Sequence, residues 1–135
     1  MRLPGSDALK PLRRPQLWLG LWWLAILFGI AISLSPSVAG DAPLGSDKLV
    51  HFLCYGALAA GAVQLFATRA ALLRAAIGLV ALGVALELAQ EAFTQTRMLD
   101  PRDAAANTLG VLLGMLVART PLRDVLLNID TRRSS

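Results

Sequence analysis

Apolar and polar positions fall in long blocks along this chain, not in the short alternations of a half-buried sheet or helix. Residues 17–34 carry no charge and include Trp18, Trp22 and Trp23. At 1.5 Å per residue that run covers about 27 Å, close to the thickness of a bilayer's hydrocarbon core. Three further apolar runs follow at 49–67, 72–93 and 104–118, and Pro101 is placed to open the last of them. Between the first two runs, Pro36, Gly40, Asp41, Pro43 and Gly45 predict a loop. The connection at 68–71 is short enough to predict an antiparallel helical hairpin. The pattern predicts an all-α fold, an integral membrane bundle of about four transmembrane helices spanning residues 17–118. Residues 1–16 and 119–135 are read as an N-terminal segment and a C-terminal tail.

Composition supports this: 56% of the 135 residues are hydrophobic, above what a soluble domain of this size carries. Ser37-Val38-Ala39 loosely fits a cleavage site, so a signal peptide competes with a retained first helix. The run is longer than a signal core of 7 to 15 residues, which favours retention. The excess of 13 Lys plus Arg over 9 Asp plus Glu flanks the apolar runs and forms no basic stripe with interleaved aromatics. Nucleic acid is therefore not an expected partner. Ten cations (Arg2, Lys10, Arg13, Arg14, Arg69, Arg74, Arg119, Arg123, Arg132 and Arg133) flank one side, and three (Lys48, Arg97 and Arg102) flank the other. That asymmetry predicts both termini in the cytoplasm. The single Cys54 excludes an intramolecular disulfide and is expected to be a buried thiol.

Depth along the helices singles out the chemistry. His51 lies about 6 Å in from Asp47, while Glu87 and Asn107 each lie about 9 Å in from Phe93 and Pro101. Three helices thus bring an imidazole, a carboxyl and an amide to one outer layer. Asp47, His51 and Tyr55 share a face of the second helix, Gly83, Glu87 and Gln90 share a face of the third, and Asp103, Asn107, Gly110 and Gly114 form a stripe on the fourth. Gly110 and Gly114 form a G-x-x-x-G pair that admits a close neighbour. The three stripes are expected to face one another.

An acid at membrane depth is costly unless paired or protonated, which makes Glu87 a functional candidate with His51 or Arg97 as partner. The plainer alternative is hydrogen-bonded packing between helices, strongest for Asn107 and Gln90. Asp100 and Asp103 fit a cap and an acidic first turn, and Asp47 fits a helix start. Tyr55 reads as a packing residue, the tryptophans as an interfacial belt, and Glu91 as reaching outward. One His and one Cys cannot form a His-rich zinc site, and no G-x-S-x-G, Walker or dinucleotide motif is present. No metal or cofactor is expected.

The ordered series Asp47-Lys48-x-x-His51-Phe52-x-x-Tyr55, Glu87-Leu88-x-Gln90 and Arg97-x-x-Asp100-x-x-Asp103-x-x-x-Asn107-Thr108-Leu109-Gly110-x-x-x-Gly114 resembles the VanZ-like family. Gln95 and Thr96 stand where many of its members have a proline before the arginine. The resemblance implies a small polytopic bacterial membrane protein related to one associated with low-level resistance to the glycopeptide teicoplanin.

Three functions are compatible with these residues. One is an envelope protein whose outward-facing site engages a cell-surface, lipid-linked or anionic ligand through Asp47, Lys48, His51, Tyr55, Glu87, Gln90, Arg97, Asp100, Asp103 and Asn107. Another is a membrane-embedded enzyme using His51 and Glu87 as acid and base on a lipid. The third is a structural membrane subunit. A proton-coupled transporter fits less well, because the inner halves of the helices lack polar residues.

Overall fold

The computed structural model describes residues 6–34, 46–93 and 100–132. Five α-helices carry these segments: α1 (Pro15–Leu34), α2 (Ser46–Leu65), α3 (Arg69–Phe93), α4 (Pro101–Met115) and α5 (Val125–Arg132). Among the described residues the one non-helical pairing is a bridge between Leu9 and Phe66. Three helices, α1 to α3, are long and apolar enough to cross a membrane. Their surfaces fit that solvent: Phe28 on α1 is 66% exposed and Ile77 on α3 is 60% exposed, which water would penalise and lipid would not.

The fourth apolar run differs from its sequence reading. The regular helix covers 15 residues, or about 22 Å, opening at Pro101 as the sequence predicts but ending at Met115, short of the end of the apolar run. Asp100 caps it, its carboxylate accepting from the Arg102 backbone N–H at 2.9 Å, and the chain then tightens into a 3-10 turn at Leu116–Arg119. Thr120 and Pro121 end that turn, because Thr120 is extended and proline disfavours helix in the residue before it.

Contacts between the helices fix an up-down-up-down order. The Gln90 amide of α3 donates to the Ser33 carbonyl near the end of α1 at 2.7 Å, and Lys48 at the start of α2 reaches Asp100 before α4. At the other end of the bundle the α2–α3 turn is capped by Thr68, whose hydroxyl accepts from the Ala71 N–H at 3.1 Å.

Helices α2 and α4 run parallel and lie closest together. A Cβ on Gly110 would collide with the Phe52 carbonyl, and one on Gly114 would collide with the Gly56 carbonyl and lie 2.6 Å from the Ala59 Cβ. The G-x-x-x-G pair therefore acts as its spacing predicts, with Gly56, Ala59 and Ala60 as the small-residue surface it meets.

The two terminal segments are built into the end opposite the Lys48–Asp100 contact. The Lys10 N–H donates to the Leu65 carbonyl and the Ala67 N–H to the Ala8 carbonyl. Lys10 Nζ pairs with Asp124 at 2.9 Å, and buried Asp130 accepts from the Trp18 indole at 3.0 Å and from the Arg13 N–H. Gln64 clamps the same region, donating to the Leu122 carbonyl at 2.9 Å and accepting from the Leu126 N–H at 3.0 Å. The segment read as a tail is thus helical and packed over residues 121–132.

Two readings are corrected here. Cys54 is exposed, not buried: it neighbours inward-facing Tyr55 but points away from the bundle, and an apolar surface in lipid has room for a thiol. Nor are the tryptophans mainly a lipid-facing belt. Trp23 is exposed, but Trp18 is tied to Asp130 and the Trp22 indole donates to the Leu58 carbonyl at 2.9 Å, since a buried indole N–H needs an acceptor.

Candidate functional site

Small residues decide where the polar groups meet. Gly83 on α3 faces α2 and α4, and a Cβ there would lie 3.1 Å from Asn107 Nδ2 and 3.5 Å from Tyr55 Cε1. Tyr55, Gly83 and Asn107 therefore converge from three helices, as the stripes predict. One turn along α3 from Gly83, Glu87 is 3% exposed, and Asn107 is 2% exposed. Both are buried far beyond what their side chains usually tolerate.

The surroundings of Glu87 come from every side of this cleft. Its carboxyl lies within electrostatic reach of His51 on α2 and of Asp100 and Asp103 at the head of α4, and the Asp100 backbone N–H faces it. His51 is half-buried. The Asn107 Oδ1 atom is buried without a hydrogen-bond partner. An unpaired buried amide oxygen costs about 1 to 3 kcal/mol, so this layer has acceptor capacity that the described side chains leave unused.

A charged lid lies above this layer. Lys48 Nζ stands 3.0 Å from Asp100 Oδ2 and 3.3 Å from Asp103 Oδ1, linking the starts of α2 and α4. The Asp100 carboxylate is held below its ordinary range by the Arg102 backbone N–H, then by Lys48. Asp100 thus combines the capping role expected of it with an ion pair to another helix.

Of the sequence candidates, the structure brings Lys48, His51, Tyr55, Glu87, Asp100, Asp103 and Asn107 to one end of the α2–α3–α4 bundle. Gln90 is buried at 3% exposure, but its amide turns to α1 and ties Ser33 to the bundle. The side chain of Asp47, and Arg97 altogether, lie outside the described residues. Among the described residues no group of three or more His, Cys, Asp or Glu side chains could hold a metal ion. Asp130 and Gln64 were not singled out in sequence. Their acceptors and donors lie more than 50 positions away, and no local spacing marks them.

No family model, curated protein or solved structure matches the chain.

Proposed function

We propose that this chain is a four-span, VanZ-like protein of the bacterial cytoplasmic membrane, with both termini in the cytoplasm, whose outward-facing polar cluster binds a cell-envelope ligand. The observation that carries this reading is the layer of Tyr55, Glu87 and Asn107 buried beneath the Lys48–Asp100–Asp103 lid, with Asn107 Oδ1 unpaired. Buried polar groups at membrane depth default to function when packing does not use them up.

The fourth span rests on length: α4 and the 3-10 turn after it together rise about 30 Å, and Gly110 and Gly114 seat it against α2. Cytoplasmic termini rest on the ten cations flanking that end. Charge argues about the ligand. The lid lysine is already held by two aspartates, and a third carboxyl lies below, so a ligand presenting hydrogen-bond donors suits the described site better than an anionic headgroup. A lipid-linked cell-wall precursor, rich in amides and hydroxyls, has that chemistry and is compatible with a contribution to glycopeptide (teicoplanin) resistance.

A second reading, acid–base catalysis on a lipid by His51 and Glu87, is favoured by the electrostatic proximity of the two groups. Both readings separate from simple helix packing by one substitution. Glu87→Gln keeps size and hydrogen bonding but removes ionisation, so it should insert normally, keep near-native stability in detergent and lose the glycopeptide-susceptibility phenotype at matched membrane abundance. His51→Gln should behave alike. A normally expressed and fully active Glu87→Gln protein would leave a packing cluster as the simpler account.

A further inference from the structure

Away from the polar layer, α1 and α3 flank an apolar groove of about 470 Å³. Its shape has a cause. Trp22 draws α1 toward α2, with its indole on the Leu58 carbonyl and its ring edge 3.1 Å from where a Gly61 Cβ would lie. The facing side of α3 carries Ala71, Ala75 and Gly78, and nothing lies within 4 Å of a Cβ built on Gly78. The furrow therefore stays unfilled between Trp22, Trp23 and Ile30 on one wall and α3 on the other.

Arg74 lines the same groove, near Ala8 and Phe66 at the end where the terminal segments pack. It lies about 7.5 Å inward from the start of α3, and among the described residues no carboxylate forms an ion pair with it. A guanidinium at that depth with no counterion among the described residues calls for an anion at headgroup level. From Arg74 to Leu82 the furrow runs about 12 Å toward the bilayer midplane, along the direction an acyl chain takes.

We propose that the α1–α3 groove is a binding site for an anionic phospholipid, its phosphate on Arg74 and one acyl chain laid over Gly78. The site rests on the reading of the chain as membrane-spanning but not on the polar cluster. Charge complementarity selects a lipid over a second copy docked groove to groove, because that copy would bring the same cation to the described groove.

The test uses the full chain purified in detergent, with phosphatidylglycerol or phosphatidylcholine titrated in and retained lipid counted by native mass spectrometry. Wild type should hold phosphatidylglycerol about tenfold more tightly than phosphatidylcholine, whose phosphate is already offset by its own choline cation. Arg74→Gln should abolish that preference. Gly78→Leu, whose Cβ has no neighbour within 4 Å and whose longer side chain would fill the furrow, should cut retention of both lipids with an unchanged melting curve. Equal retention by wild type and Gly78→Leu would overturn the proposal, as would a dimer that Gly78→Leu separates. Extraction of the protein from membranes by alkaline carbonate would overturn the membrane reading together with the site. A carbonate-resistant protein showing no lipid preference would overturn the site alone.

Discussion

Gly83 of α3 leaves the space into which the Asn107 amide of α4 fits, with a Cβ at position 83 falling 3.1 Å from Nδ2 and 3.3 Å from Cβ of Asn107. Such distances are tighter than ordinary contact, so a methyl group at 83 has to push the amide aside. Gly83→Ala should gain helix propensity of about 0.5 to 1 kcal/mol and lose a similar amount in repacking. Thermal unfolding in detergent should barely change, while the phenotype tested with Glu87→Gln falls. An active Gly83→Ala protein would show that the position of Asn107 does not matter to function.

The Gly56 and Ala60 backbone and the Ala59 Cβ lie under Gly114, and none of these can swing aside. Gly114→Leu should therefore separate α2 from α4 and destabilise the bundle by at least about 1 to 3 kcal/mol, the usual cost of overpacking. Gly20→Leu on α1, where nothing lies within 4 Å, is the matched control and should leave the melting curve unchanged.

Acid should loosen the end of the molecule where the terminal segments meet. The Trp18 indole, then the backbone N–H groups of Arg13 and Arg14, hold the Asp130 carboxyl below its ordinary range. A lowered folded-state value contributes stability that is fully present above the unfolded value of about 3.9 and is lost as pH falls through the folded one. Asp124, lowered chiefly by Lys10, acts in the same direction. Tryptophan emission titrated from pH 6 to pH 2 should show a transition below about pH 4 that Asp130→Asn removes. Identical titrations for the two proteins would exclude Asp130 as its origin.

Exposure of Cys54 on a helix that can cross a membrane makes the thiol a depth marker. A membrane-impermeant maleimide should leave it unlabelled in intact membranes, because reaction needs the thiolate and the aqueous reagent. The same reagent should label it after detergent solubilisation. Labelling in intact membranes would place that face of α2 in water.

Much of the site was legible in sequence because helical spacing is local. Tyr55, Glu87 and Asn107 lie on faces that i, i+4 repeats define, and Gly110 with Gly114 marked the closest contact. Gln90 shares the face of Glu87, but spacing identifies a face and not the neighbour it meets, and one turn further out that neighbour is α1. Hydropathy marked the tryptophans as apolar, yet the acceptors of Trp18 and Trp22 lie 112 and 36 positions away. The C-terminal helix escaped for the same reason. Eight residues are too few to be stable alone, and what holds them, Gln64 and the N-terminal segment, is distant in sequence.

The clasp between Arg13 and Asp130 joins residues 117 positions apart, and translation delivers them in that order. At roughly 5 to 20 residues per second, α1 is complete at Leu34 about 5 to 19 s before the carboxylate that accepts its Trp18 indole exists. Until then Lys10, Arg13 and Trp18 stand at their end of the bundle without their acidic partners, available to anionic lipid headgroups. Closure of that end therefore becomes a late event in biogenesis, and truncations just before Asp124 should yield a chain that inserts but keeps it open to protease.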